Sequence, residues 1–166
     1  MRVFGIVGYS GSGKTTLIGK LIGEFNSRDL TVSVIKHAHH SFQIDKPGKD
    51  SFEHRKSGAK EVLVSSTERW ALVHELREQS ELKLDNLLRI ISPCDIVLVE
   101  GFKKEVMPKL EVCREQVKTP NLFKSDSQIL GIASDFEIET NLPLFSITDY
   151  ADIADFIWGE AYCANE

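Results

Sequence analysis

Short apolar runs, closed by glycine or by carboxylates, alternate along this chain with stretches where apolar residues recur every three to four positions. Residues 3–7 form a β-branched run that stops at Gly8, the pattern of a buried strand. From Gly13 onward Leu17, Ile18, Leu21, Ile22 and Phe25 share one helical face, and Arg28 follows where a cation suits the helix dipole. Residues 31–35 predict a second strand. The polar stretch from His37 to Lys49, with Pro47-Gly48 inside it, predicts a long loop, and 51–56 a short helix capped by Asp50 or Ser51. Residues 61–65 and 70–73 predict a hairpin turning at Ser66-Thr67-Glu68-Arg69. Leu84, Leu87, Leu88 and Ile91 set a further helix, stopped by Pro93. Four consecutive apolar residues between Asp95 and Glu100 make the clearest buried strand. Residues 110–113, 129–133 and 144–147 predict three more strands, and Asp149 is placed to cap a last helix with Ile153, Phe156 and Ile157 inward. Strands alternating with helices imply right-handed crossovers. The predicted fold is one α/β domain over residues 1–166, with a mostly parallel sheet, helices on both faces and an added β-hairpin.

Composition narrows the function classes. With 42% hydrophobic and 27% charged residues in 166, disorder is excluded. No apolar run approaches the roughly 20 residues of a membrane span, and the first residues break into glycines too early for a signal peptide. Cys94, Cys113 and Cys163 are far apart and form no CxxC pair, so they read as small packed residues of a cytoplasmic protein. A net charge of −5 disfavours nucleic acid and anionic membranes as partners. That total hides a split. Residues 1–60 carry ten basic and five acidic side chains, and the remainder carries ten basic and twenty acidic. The first third is prepared for a discrete anion.

The anion site has a motif. Gly8-Tyr9-Ser10-Gly11-Ser12-Gly13-Lys14-Thr15 fits G-x-x-x-x-G-K-[ST], and it lies between a predicted strand and a predicted amphipathic helix. The pattern identifies a P-loop. Its glycines permit turns in which successive N–H groups converge on phosphate oxygens, and the helix N-terminus adds partial positive charge. Lys14 is expected to reach the β/γ-phosphates and Thr15 to ligate Mg²⁺, with Thr16 as a neighbouring cap or packing residue. The partner acid is Glu100. It closes the apolar strand at the ligand-facing end, whereas Asp95 lies about 16 Å away at the other end and reads as a cap. Glu100 is therefore the metal-holding and catalytic candidate, and Gly101 is expected to offer an N–H to the terminal phosphate.

Four of five histidines fall at His37, His39, His40 and His54, among Lys36, Lys46, Lys49, Arg55 and Lys56. Three readings stand: a loop binding nucleotide or a second anion, a transition-metal site at His-x-His-His, and a solvated loop. At this point the chain resembles a known family. Residues 8–17, Ile-Lys-His-Ala-His-His (35–40) and Ile-Asp-Lys-Pro-Gly-Lys-Asp-Ser (44–51) are similar to motifs of MobB, the adaptor family of molybdopterin-guanine dinucleotide biosynthesis. His54-Arg55, Gly58-Ala59, Val99-Glu100-Gly101-Phe102-Lys103 and Pro108-Lys109-Leu110-Glu111 continue the likeness in order. The resemblance implies a homodimeric GTP-binding protein with weak GTPase activity. Its implied partners are molybdopterin or the molybdenum cofactor, the nucleotidyltransferase MobA, and other cofactor-biosynthesis proteins. It assigns Gly8, Gly11, Gly13, Lys14, Thr15 and Glu100 to GTP and Mg²⁺. Lys36, His37, His39, Asp45, Lys46, Lys49, Asp50 and Arg55 become a second-ligand or switch loop, with Asp45 or Asp50 approaching Mg²⁺ through water.

No Asn-Lys-x-Asp string is present to read guanine. Asp135, at the ligand-facing end of its strand, is the candidate acceptor for the base, assisted by Ser134; an ordinary Ser-Asp turn is the plain alternative. Two rival functions follow from the same residues. A metallochaperone-type maturation GTPase would use the histidine loop. A small-molecule P-loop kinase would need several arginines in a lid, and Arg114 is the single arginine after residue 100.

Overall fold

The first apolar run forms β1 (Arg2–Val7), buried at all but its first residue. It is followed by α1 (Lys14–Asn26), whose Leu17, Ile18, Leu21 and Phe25 are buried as the helical spacing requires, and by β2 (Val32–Lys36). The remaining elements are α2 (Asp50–Lys56), β3 (Glu61–Ser65), β4 (Trp70–His74), α3 (Leu84–Ile90), β5 (Ile96–Glu100), β6 (Lys109–Cys113), β7 (Ile129–Ser134), β8 (Leu144–Ser146), α4 (Tyr150–Glu160) and β9 (Tyr162–Cys163). The computed structural model describes residues 1–38 and 42–164, which divide into two units: Met1–His37 with Leu87–Glu166, and Ala38–Asn86. Among the described residues no helix is long and apolar enough to cross a membrane.

The larger unit holds a seven-stranded sheet in the order β2-β5-β1-β6-β7-β8, parallel throughout. The short β9 adds antiparallel to the start of β1, pairing Arg2 with Cys163 and Val3 with Tyr162. Because side chains alternate across a strand, Phe4, Ile6, Ile96, Leu98, Leu110 and Val112 point to one face, where α1 and α4 cover them. Val3, Val97, Val99, Lys109 and Glu111 point to the other face and are buried too. There the Glu111 carboxylate accepts the N–H groups of Leu122 and Phe123, at 2.8 Å each, and so caps a 3-10 helix at Leu122–Lys124. Lys109, 1% exposed, donates to Asp126 and to the Lys103 carbonyl, both at 2.8 Å. β1 has β5 on one side and β6 on the other, so the chain changes direction across its carboxyl end. In open α/β sheets that switch point opens a crevice for ligands.

Two local expectations are corrected, and the predicted cap at Asp149 is found in place without its side-chain bond. Lys49, not Asp50 or Ser51, is the N-cap of α2, and no side chain bonds there. Asp149 holds the N-cap position of α4 through its backbone alone, accepting from Ile153 and donating to Ser146, with no side-chain cap bond. Cys163 is exposed rather than packed, because β9 is a two-residue edge strand.

In the smaller unit β3 and β4 form the predicted antiparallel hairpin, registered Leu63 to Leu72 and Ser65 to Trp70. The same face carries Leu63 at 63% exposure and Trp70 at 68%. Arg55 of α2 ties this unit together, donating to Asp45 at 2.9 and 3.3 Å and to Glu75 at 2.9 Å.

Candidate functional site

The residues after β1 turn where side chains do not fit. Gly8, at φ +147°, would bring a Cβ within 2.6 Å of the Val112 carbonyl. Gly13, the N-cap of α1, lies in the left-handed region at φ +89°. α1 has no side-chain cap and no acidic residue in its first turn, so its leading N–H groups and dipole are left for an anion. Lys14 curls back over the loop, its Nζ donating to the carbonyls of Tyr9 at 2.8 Å and Gly8 at 3.1 Å. Burial holds this ammonium below the ordinary lysine pKa, the charges of Lys103 and Lys36 lower it further, and Glu100 opposes them. Lys103 itself stands over the Tyr9 ring, 4.3 Å from its centroid.

The hydroxyl of Thr15 donates to Glu100 Oε1 at 3.1 Å, and Lys36 Nζ lies 3.3 Å from the same oxygen and 3.5 Å from the hydroxyl. Glu100 is buried at the end of β5, as its place in the apolar run requires. Hydroxyl and carboxylate oxygens are the hard donors that suit Mg²⁺, and a lysine ammonium already occupies the shared corner. The donor set fits a divalent cation. Asp95, at the opposite end of the strand, accepts from the N–H and hydroxyl of Thr31 at 2.7 and 2.6 Å, which is the capping role read for it.

Other site expectations sort unevenly. The Gly101 amide donates to the Ile6 carbonyl at 3.1 Å, so the N–H expected to meet a phosphate is already engaged. Gly101 instead lets the backbone turn at φ +90° close to His37, whose own amide donates to the Glu100 carbonyl at 2.9 Å. The His37 ring packs against Phe102, centroids 4.9 Å apart. Ser10 and Thr16 are exposed, and Ser12 is 1% exposed with a hydroxyl that has no partner among the described residues. That hydroxyl borders a cavity of about 250 Å³ with Tyr9, Cys113, Arg114, Val117 and Phe136. Burial first, then the nearby Glu111 carboxylate, push the Cys113 thiol up to about 12, so it is a wall and not a nucleophile.

In the smaller unit Asp45 and Arg55 are partners of each other, and the guanidinium also lies 5.2 Å from the Phe52 ring. Lys46 and Lys49 close a turn through their backbones at 3.2 Å, and Asp50 opens α2. His39 and His40 lie outside the described residues, and the His-x-His-His reading lies there with them.

Arg114, the single arginine after residue 100, lies beside the P-loop. It follows β6 directly, and its guanidinium reaches within 3.2 Å of where a Cβ on Gly13 would stand. It donates to Asp135 Oδ2 at 3.3 Å, while the Glu115 amide donates to Oδ1 at 2.9 Å. The Glu115 amide foremost, then the guanidinium, holds the Asp135 carboxyl below the usual carboxylate range. Lys103 and Arg114 were legible only as residues just beyond the carboxyl ends of strands flanking β1.

The family profile of MobB, molybdopterin guanine dinucleotide synthesis protein B, matches residues 3–135. The molybdopterin-guanine dinucleotide biosynthesis adapter protein of Haemophilus influenzae is 43% identical over 157 residues, spanning 93% of this chain and 86% of the relative. The Escherichia coli protein of the same description is 40% identical, over 90% of this chain and 87% of its own. A MobB homolog from Bacillus stearothermophilus, solved by crystallography, superposes with a TM-score of 0.72 at 26% identity, covering 96% of this chain and 97% of that one.

Proposed function

This chain belongs to the MobB family, the adapter proteins of molybdopterin-guanine dinucleotide biosynthesis, and we propose that it serves that pathway by holding GTP and Mg²⁺ at its P-loop. The observation that carries the reading is the convergence of Lys14, Thr15, Lys36 and Glu100 at the switch point of the sheet. Phosphate oxygens have the α1 amides and the Lys14 ammonium to meet, and Lys14 gains a charged partner in place of two carbonyls. Thr15 and Glu100 would hold Mg²⁺, with Lys36 moving off the oxygens it now bridges. The ion supplies charge neutralisation between the β- and γ-phosphates. Hydrolysis is slow in this reading, because Glu100 serves the cation and Arg114 is tied to Asp135.

The adapter hands its benefit to a nucleotidyltransferase of the MobA type, which joins GMP to molybdopterin, in the cytoplasm and as a homodimer. The exposed Leu63, Leu72 and Trp70 on one face of the hairpin are consistent with a second copy. Two-stranded hairpins rarely stand alone in water, which supports the same reading.

Reconstitution tests this function. Purified transferase, molybdopterin and limiting GTP are combined with and without the chain, and guanine dinucleotide is quantified. The wild-type chain raises the yield, Lys14→Ala does not, and Lys46→Ala with Lys49→Ala lowers the yield while sparing GTP binding. A Lys14→Ala chain that stimulates as well as wild type would sink the proposal.

A further inference from the structure

The corner that suits Mg²⁺ already holds a cation of the chain's own. β2 and β5 run parallel with Lys36 and Glu100 in register, so the backbone sets the ammonium beside the carboxylate. Thr15 arrives from the first turn of α1, and its hydroxyl donates to Glu100 Oε1 at 3.1 Å. Those two oxygens are spaced like adjacent ligands of an octahedral Mg²⁺, whose bonds of about 2.1 Å at a right angle end about 3.0 Å apart. Lys36 Nζ closes the triangle, 3.3 Å from the carboxylate oxygen and 3.5 Å from the hydroxyl. The two members of this ion pair differ. The Glu100 side chain is 8% exposed and fixed at a strand end, whereas the Lys36 side chain is 56% exposed. An exposed ammonium on a flexible stem gives up such a contact at little cost, so Lys36 is the member that can leave.

We propose that Lys36 is the stand-in cation of this site: it takes the place of Mg²⁺ against the phosphates of a nucleoside triphosphate when no divalent ion is present, and yields the Thr15 and Glu100 oxygens when the ion comes with the nucleotide. The inference rests on the P-loop reading and deepens it, naming the residue that decides how far binding depends on the ion. A buried carboxylate needs a counter-charge at all times. In the nucleotide-free chain a divalent ion is a poor choice for that role. Lys14, Lys36 and Lys103 already crowd their ammoniums around Glu100, near enough that the other two charges act on Lys14, and further positive charge is repelled. The triphosphate reverses this balance and gives both kinds of cation something to hold. An ammonium carries three donors, of which Glu100 and Thr15 take two, so Lys36 keeps one for a phosphate oxygen without leaving the corner. With the ion in place, the same long stem carries the ammonium out toward water.

Calorimetric titration of the full chain with GTP, once in Mg²⁺ and once in excess EDTA, tests this as a ratio within each protein. Wild type loses no more than about tenfold in affinity on going from Mg²⁺ to EDTA, Lys36→Met loses roughly 100-fold, and Lys36→Arg recovers part of the difference. The ratio is insensitive to any general weakening by the substitution. A second readout needs no nucleotide. Mn²⁺ binding, followed by the electron paramagnetic resonance of the free ion, is about tenfold tighter in Lys36→Met than in wild type, because the competing ammonium is gone. An equal Mg²⁺-to-EDTA ratio in wild type and Lys36→Met, or equal Mn²⁺ affinity in the two, overturns the stand-in role and leaves the P-loop reading intact where wild type binds GTP. Wild type that binds GTP under neither condition overturns both.

Discussion

Lys14 is an ammonium surrounded by two others and partly withdrawn from water, with backbone carbonyls as its hydrogen-bond partners. A lysine whose folded pKa is lowered binds its proton less well folded than unfolded, so the protonated form costs stability at neutral pH. The cost shrinks as pH rises toward the unfolded value near 10.5. Lys14→Met is therefore expected to melt at or above wild type at pH 7, with the gap narrowing at pH 9.5, while GTP binding is lost; thermal melts at the two pH values check this. A melting point well below wild type at pH 7 would mean that Lys14 is structural. At this scale the P-loop residues were legible because their spacing is local and every fixed position carries chemistry. Arg114 and Lys103 were not, because their neighbours at Gly13 and Tyr9 lie about a hundred positions away. Asp45 and Arg55 were legible as polar loop residues, but spacing could not reveal that they engage each other.

Elements were read from period. Runs of apolar residues gave every strand of the parallel sheet and the 3.6-residue spacing gave α1 and α4, because burial on a face leaves that mark directly. What the pattern hid was the burial of both faces of β6. Its alternation of Leu110 and Val112 with Lys109 and Glu111 looks like one wet face, yet both faces are buried. The polar residues there are satisfied by the connection to β7, through Asp126 and the amides of Leu122 and Phe123. Breaking one partner of such a buried pair leaves the other charge without compensation. Asp126→Ala is expected to destabilise the fold by about 3 kcal/mol, and adding Lys109→Met to recover most of it. Chemical denaturation of the single and double variants measures both steps. The missed cap of α2 has a related cause: N-cap residues were chosen by side-chain type, whereas Lys49 holds its position through backbone geometry, as Asp149 does at the predicted start of α4.

At the scale of the whole molecule, topology does what composition could not announce. The parallel sheet brings the carboxyl ends of β1, β5, β6, β7 and β8 to one edge, and with them Lys14, Glu100, Lys103, Arg114 and Asp135. The basic first third supplies Lys14 and Lys36, and the acidic remainder, for all its twenty carboxylates, contributes two more cations at the same place. An acidic protein thereby carries a local basic pocket, which we propose takes one nucleoside triphosphate. The account turns on that pocket. Its most direct test is the calorimetric affinity of the wild-type chain for GTP with Mg²⁺, compared with Lys14→Ala. Saturable binding of one GTP per chain, weakened on the order of 100-fold by the substitution, is the predicted result. Undetectable binding in wild type, or equal affinity in the two proteins, would contradict it.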